Sequence, residues 1–107
     1  MKTFKVLMYG REVELYIKRF QYAYPQNTMI QLYELGGEPY ASLTTNPSFK
    51  LPNDIVAICM SNYSPIVTAM VQLHILELQD GYYRSGFNTY NYFKINEEFI
   101  KQYEMEL

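Results

Sequence analysis

Four tyrosines, two phenylalanines and an arginine crowd the sixteen residues from Gly81 to Asn96, "GYYRSGFNTYNYFKIN". A guanidinium set between aromatic rings, as Arg84 is beside Tyr82 and Tyr83, can stack and fork onto a carboxylate, a phosphate or a base. Tyr and Arg are also the side chains enriched at binding hot spots. The Ser85-Gly86 pair allows a bend that would present the arginine. The same residues read equally as a hairpin with an aromatic face, its arginine pairing locally with a carboxylate. Aromatic side chains suit a half-buried pleated surface.

Elsewhere the chemistry is sparse. One His and one Cys give no zinc spacing, and no calcium-loop pattern is present. Cys59 lies in the apolar run "DIVAICM", where a thiol reads as a core residue, since a nucleophile needs a nearby His and an electropositive pocket. His74 falls near the end of a predicted helix, where a cationic ring suits the negative end of the dipole. "ELGGEPY" holds two glycines, but its flanks are strand-like and it lacks the Lys of a phosphate-cradling loop. Glu34 and Glu38 straddle that turn. An acid–base pair would need a cleft that separates their proton affinities, and nothing in the pattern supplies one. No catalytic residue, metal or cofactor is expected.

The chain has 107 residues, 49% of them hydrophobic and 19% charged, the profile of one globular domain spanning 1–107. Twelve Tyr and six Phe with no Trp is an unusual aromatic set. Tyr can bury its ring while its hydroxyl meets water or a partner. A lone cysteine rules out an internal disulfide, and no apolar run has the length of a membrane span or signal core, so the expectation is cytoplasmic. Net charge is −2, unevenly placed: residues 1–53 hold six Lys/Arg against four Asp/Glu, residues 54–107 three against seven. Neither half has a nucleic-acid footprint, so direct nucleic-acid binding is not expected. Glu97, Glu98, Glu104 and Glu106 read as a solvated helix face or as a surface for a basic partner.

Period-two alternation predicts two hairpins over residues 3–45, with Val13, Leu15 and Ile17 sharing one face of the second strand. "MIQLYEL" is the third strand, with Ile30, Leu32 and Glu34 on one face, and "YASLTT" is the fourth. "IVAICM" reads as a buried strand. Ser64 and Pro65 mark a helix start, with Ile66, Ala69, Met70 and Leu73 at helical spacing to about His74. "ILEL", "QDG" and "YYRSG" suggest a strand end or loop, and "FNTYNYFKI" a final strand with either face eligible for burial. Asn96 caps a C-terminal helix with Phe99, Ile100 and Tyr103 as its stripe. The expected fold is α+β: an antiparallel sheet of five to six strands, one central helix on one face, and a C-terminal helix.

Two stretches carry a resemblance. "GEPYASLTTN" resembles a Gly/Glu-Pro-Tyr-x-x-Leu-Thr-x-Asn stretch, and "RSGFNTYNYFKIN" a Ser-Gly-Phe-x-x-Tyr-Pro-Leu-Tyr-x-Phe stretch, of a small domain-of-unknown-function family. That family is carried on plasmids, conjugative elements and phages of Gram-positive and gut bacteria. Asn91 stands where the family usually has proline. The resemblance implies no catalytic residue or cofactor. Its mobile-element context implies an anti-defence protein that inhibits a host nuclease, with a CRISPR effector and its guide RNA first among targets. The expected partner surface is Tyr82, Tyr83, Arg84, Tyr90 and Tyr92 as anchors, with Glu97, Glu98, Glu104 and Glu106 steering toward a basic surface. The alternatives are a regulatory interaction module, homodimeric through a strand edge, and a nucleic-acid or small-ligand binder using the tyrosine-rich hairpin.

Overall fold

Alternating apolar residues build the first half as the pattern predicts. In a computed structural model that describes residues 1–105, β1 (Phe4–Met8) and β2 (Arg11–Gln21) pair with Met8 opposite Arg11. Only Tyr9 and Gly10 remain in the loop, with φ of 51° and 78°, the left-handed pair of a type I′ turn whose twist matches its strands. β3 (Thr28–Glu34) and β4 (Pro39–Ser42) complete an antiparallel sheet of order β1-β2-β3-β4. Val13, Leu15 and Ile17 are buried together with Phe4, Val6, Met8, Ile30 and Leu32. Each such side chain taken fully from water contributes roughly 1.5–3 kcal/mol.

The expected single sheet of five to six strands is instead two sheets. β5 (Ile55–Ile58), β6 (Leu76–Ser85) and β7 (Asn88–Ile95) form a separate antiparallel sheet of order β5-β7-β6. The break falls after β4. Leu43 N–H still reaches the Ile30 carbonyl, but Thr45 N–H donates to the Ala57 carbonyl, an isolated bridge between the sheets. Pro47 and Pro52 follow, and neither can donate to a ladder. "YYRSG", read as a strand end or loop, lies in β6 as far as Ser85, with Gly86 in the turn of the second hairpin.

α1 (Met60–Gln72) starts four residues before Ser64, with Cys59 at its cap. Tyr63 leaves helical geometry (φ −131°, ψ 21°) and kinks it, because the Pro65 ring offers no N–H and collides with the carbonyl one turn back. At the other end Ile75 N–H reaches the Met70 carbonyl and His74 N–H the Val71 carbonyl. These are the paired bonds of a Schellman ending, and they hold His74 at φ 62°. Ile66, Val67 and Met70 are buried, and α1 packs on β1, β6 and β7, so one core joins both sheets.

The C-terminal helix is a single turn, α2 (Glu97–Ile100), continued by a 3-10 turn at Lys101–Tyr103. Asn96 accepts from Phe99 and Ile100 through its backbone carbonyl, while its side chain makes no cap bond. The helix stops because the chain returns to β2. β1 covers β2 only as far as Leu15, and Glu104 pairs in parallel with Ile17 just beyond, Met105 N–H donating to the Ile17 carbonyl at 2.9 Å.

Candidate functional site

Strand alternation divides the expected anchors between two faces. In the β6–β7 hairpin Tyr83 lies opposite Tyr90, Tyr82 opposite Asn91, and Ser85 opposite Asn88. Gly86 (φ 62°) and Phe87 are the whole loop, with glycine at the first position as a type II′ turn requires. Tyr83, Tyr90 and Tyr92 share the outer face. Tyr82 and Arg84 share the inner face with Asn91 and Phe93, and Phe93 fixes that face as the buried one.

The outer tyrosines form a stack. The Tyr83 ring sits 5.0 Å from Tyr90 and 6.2 Å from Tyr92, nearly parallel to both. Phe49, from the loop after the sheet break, meets Tyr83 edge-on at 5.7 Å. Burial raises the Tyr83 phenol above its ordinary value, against a lowering effect of the Thr45 side chain, while Tyr90, Tyr92 and Tyr22 add to the rise. Gly81 (φ 110°) sits in a bulge where three residues of β6 oppose Tyr92 alone; a Cβ there would lie 3.3 Å from the Tyr92 ring.

Asn27 holds the Phe49 loop in place. Its Nδ2 donates to Asn46 Oδ1 at 2.8 Å and to the Phe49 carbonyl at 3.0 Å, and its Oδ1 accepts from Leu51 N–H at 2.7 Å. At 2% exposure it is a buried polar residue with its bonds satisfied. Between this loop and the hairpin runs a groove of about 490 Å³ lined by Thr45, Asn46, Phe49, Tyr83, Ser85 and Tyr90. On the inner face a second groove of about 430 Å³ is apolar, lined by Met60, Val67, Val71, Leu78 and Phe93. Leu78 and Tyr82 are each 59% exposed beside it, and Phe87 at the hairpin tip is fully exposed.

The acidic residues lie elsewhere and are partly committed. Arg19 forks onto Glu97 with two bonds of 2.7 Å and also binds Glu104, through Nη2 at 2.8 Å and through Nε. The two glutamates thereby tie the C-terminal segment to β2. The hydrogen bonds from Arg19 hold the Glu97 carboxyl below its ordinary value, and desolvation works against them; the bonds to Glu104 first, and to Glu97 second, raise Arg19. Glu97 lies at the hairpin base near Glu77 and Lys94, away from the tip. Glu98 is exposed and makes no ion pair among the described residues, and Glu106 lies outside them.

Cys59 is buried, its Sγ 3.1 Å from Ser61 Oγ, and His74 rests 5.5 Å from the Phe99 ring. Among the described residues no three His, Cys, Asp or Glu are grouped to hold a metal, and no helix is long and apolar enough to cross a membrane. Sequence reasoning missed Phe87, Phe49, Asn27 and Arg19 as site-forming residues. For Phe87 a signal existed: a Gly-x pair between two alternating runs marks a two-residue hairpin loop. For the others the partners are remote in sequence, and no local pattern reveals them. Comparison with known proteins found no matching family model, no matching curated protein and no matching solved structure.

Proposed function

We propose that this protein acts by binding a protein partner, without catalysis, through the tip of the β6–β7 hairpin. The observation that carries the reading is Phe87. A phenylalanine fully exposed at the end of a two-residue turn forgoes the roughly 1.5–3 kcal/mol its burial would contribute. A pocket on a partner recovers that energy. The adjoining groove offers Asn46, Ser85 and the edges of Tyr83 and Tyr90 as a polar surround, the arrangement of an apolar anchor within a polar rim. The partner we propose is a host defence nuclease of CRISPR type with its guide RNA, which would place the protein in the cytoplasm. Support for that target comes from the resemblance of residues 37–46 and 84–96 to the mobile-element family.

The test is a titration of purified protein against CRISPR nuclease–guide complexes, with binding and DNA cleavage both measured. Saturable binding and loss of cleavage are expected, and Phe87→Ala should weaken both by about 30-fold, the size of one hot-spot truncation, with an unchanged melting temperature. Absence of binding to every such complex would remove the nuclease target. Retention of full affinity by Phe87→Ala in any partner complex would remove the tip as the anchor.

A further inference from the structure

We propose that two copies of this chain pair through the open edge of β6, antiparallel about Tyr82. This inference does not rest on the proposed nuclease target. β6 is the last strand of its sheet, hydrogen-bonded on one side only among the described residues. In a two-residue hairpin the pair beside the loop exchanges both of its bonds, so Ser85 and, two residues on, Tyr83 point their backbone groups at β7. Those of Tyr82 and Arg84 therefore point at the free edge. The side of β6 that can accept another strand thus begins at these residues.

The sequence along that edge is self-complementary in one register. With Tyr82 opposite Tyr82 of the second copy, Asp80 faces Arg84 and Arg84 faces Asp80, giving two symmetric ion pairs. Leu78, Tyr82 and Arg84 stand opposite Phe93, Asn91 and Thr89 on the inner face, and the Cβ direction at Gly81 is toward Tyr92 on the outer side. The proposed pairing therefore assigns Asp80, midway between Leu78 and Tyr82, to the inner face with Arg84. On the outer face Gly81 then lies opposite Tyr83, an aromatic ring covering a bare glycine across the strands. Asp80 and Arg84 are both exposed, and neither has an ion-pair partner among the described residues. Shifting the register by two residues instead sets Arg84 against Leu78 and Asp80 against Tyr82, and shifting it by four sets Asp80 against Asp80. The open edge, its charge complementarity and its glycine–tyrosine match select a second copy as occupant.

Pairing makes one six-stranded sheet from the two three-stranded ones, and the isologous geometry closes at two copies. The ladder is short because Asp80 and Gly81 already lie in the bulge between Leu78 and Tyr82, which guards against open-ended strand addition. Phe87 of each copy points away from the axis, five residues from Tyr82, so the two tips stand about 34 Å apart at 3.4 Å per residue. A dimer would present two anchors to one extended partner or to two.

Sedimentation equilibrium decides the matter. The expected species has twice the 12.7 kDa mass of the chain and dissociates more readily as salt rises. Arg84→Asp and, separately, Asp80→Lys set like charges face to face and should each raise the dissociation constant at least about tenfold. Both sites are exposed, so unchanged circular dichroism and melting are expected alongside. The swap Asp80→Arg with Arg84→Asp restores both pairs and should recover the dimer. A wild-type monomer at the highest soluble concentration overturns the proposal. So does a single reversal that dimerises as tightly as wild type, or a folded double swap that stays monomeric.

Discussion

Removing the side chain of Asn27 should unfasten the loop that carries Phe49 before it unfolds the domain. Asn27→Ala deletes three bonds, and their partners differ in what they can do next. Asn46 Oδ1 and the Phe49 carbonyl belong to residues that water can reach, so each loss is about the net value of one hydrogen bond, roughly 0.5–1.5 kcal/mol. Leu51 N–H is buried and loses its only acceptor, which costs about 1–3 kcal/mol. Together the variant should lose about 2–6 kcal/mol, a large share of the 5–15 kcal/mol typical of a domain. Urea unfolding gives the total, and amide exchange shows where it is felt: Leu51 N–H should exchange far faster while Leu32 and Ile58 in the two sheets change only with global stability. Asn27→Asp sharpens the test. It keeps the acceptor for Leu51 but turns a second carboxylate oxygen toward two acceptors, which raises its folded proton affinity above the unfolded one. Its instability should therefore be greatest at neutral pH and shrink as pH falls toward the carboxylate range. A loss below about 1 kcal/mol for Asn27→Ala, less than the Leu51 term alone, would refute this reasoning. A uniform rise in exchange across both sheets, with no excess at Leu51, would refute it too.

Arg19→Ala should cost about 1.5–3 kcal/mol, because it strands the largely buried Glu104 carboxylate; faster exchange at Met105 N–H would show release of the C-terminal segment. The Glu97 carboxyl is held low by Arg19, so its contribution is complete above the unfolded value near 4.5 and is lost as pH falls through the lower folded value. More than half of Glu97 is exposed, so screening keeps the effect small, and Glu97→Gln should flatten the acid limb of a stability–pH curve only within that window. His74→Gly should raise the melting temperature, since glycine adopts the left-handed ending of α1 without the cost a side chain carries, for a gain of up to about 1 kcal/mol. Tyr83→Phe should leave hairpin exchange and partner affinity intact, whereas Tyr83→Ala should speed exchange at Tyr90 and weaken affinity; an equal loss in the two variants would mean the hydroxyl, not the ring, matters.

What the sequence revealed was what period and turn chemistry encode. Val13, Leu15 and Ile17 alternate against Glu12, Glu14, Tyr16 and Lys18, so their buried face was legible, and four strands do precede Pro47. The split into two sheets was not legible, because it depends on Thr45 finding Ala57 rather than continuing along β3, a choice made by long-range register. The buried face of β7 was ambiguous for a local reason: Asn91 and Phe93 on one side are no more apolar than Tyr90 and Tyr92 on the other. Only α1 lying over Phe93 decides it. The acidic tail was legible as charge but not as structure, since Arg19 lies 78 residues from Glu97 and 85 from Glu104. Of the four acids read as a solvated face or as steering charge, only Glu98 makes no ion pair among the described residues, and Glu106 lies outside them.

The distribution of aromatic residues has a mechanical logic. β5 supports β7 only as far as Asn91, opposite Ile58, so the distal hairpin from Tyr82 to Tyr90 has no third strand beneath it. A two-stranded hairpin alone is marginal in water. The stack of Tyr83 on Tyr90 and Tyr92, closed by Phe49, supplies the missing support, at roughly 0.5–1.5 kcal/mol per aromatic pair beyond burial. Asn27 in turn fixes Phe49, so the rigidity of the tip reaches back to the β2–β3 turn. Rigidity matters to Phe87 because ordering a mobile loop on binding consumes affinity, and a tip already fixed in the free protein avoids that cost. The tyrosines of the outer face thus act chiefly as a brace, and the residue they brace is the phenylalanine at the turn.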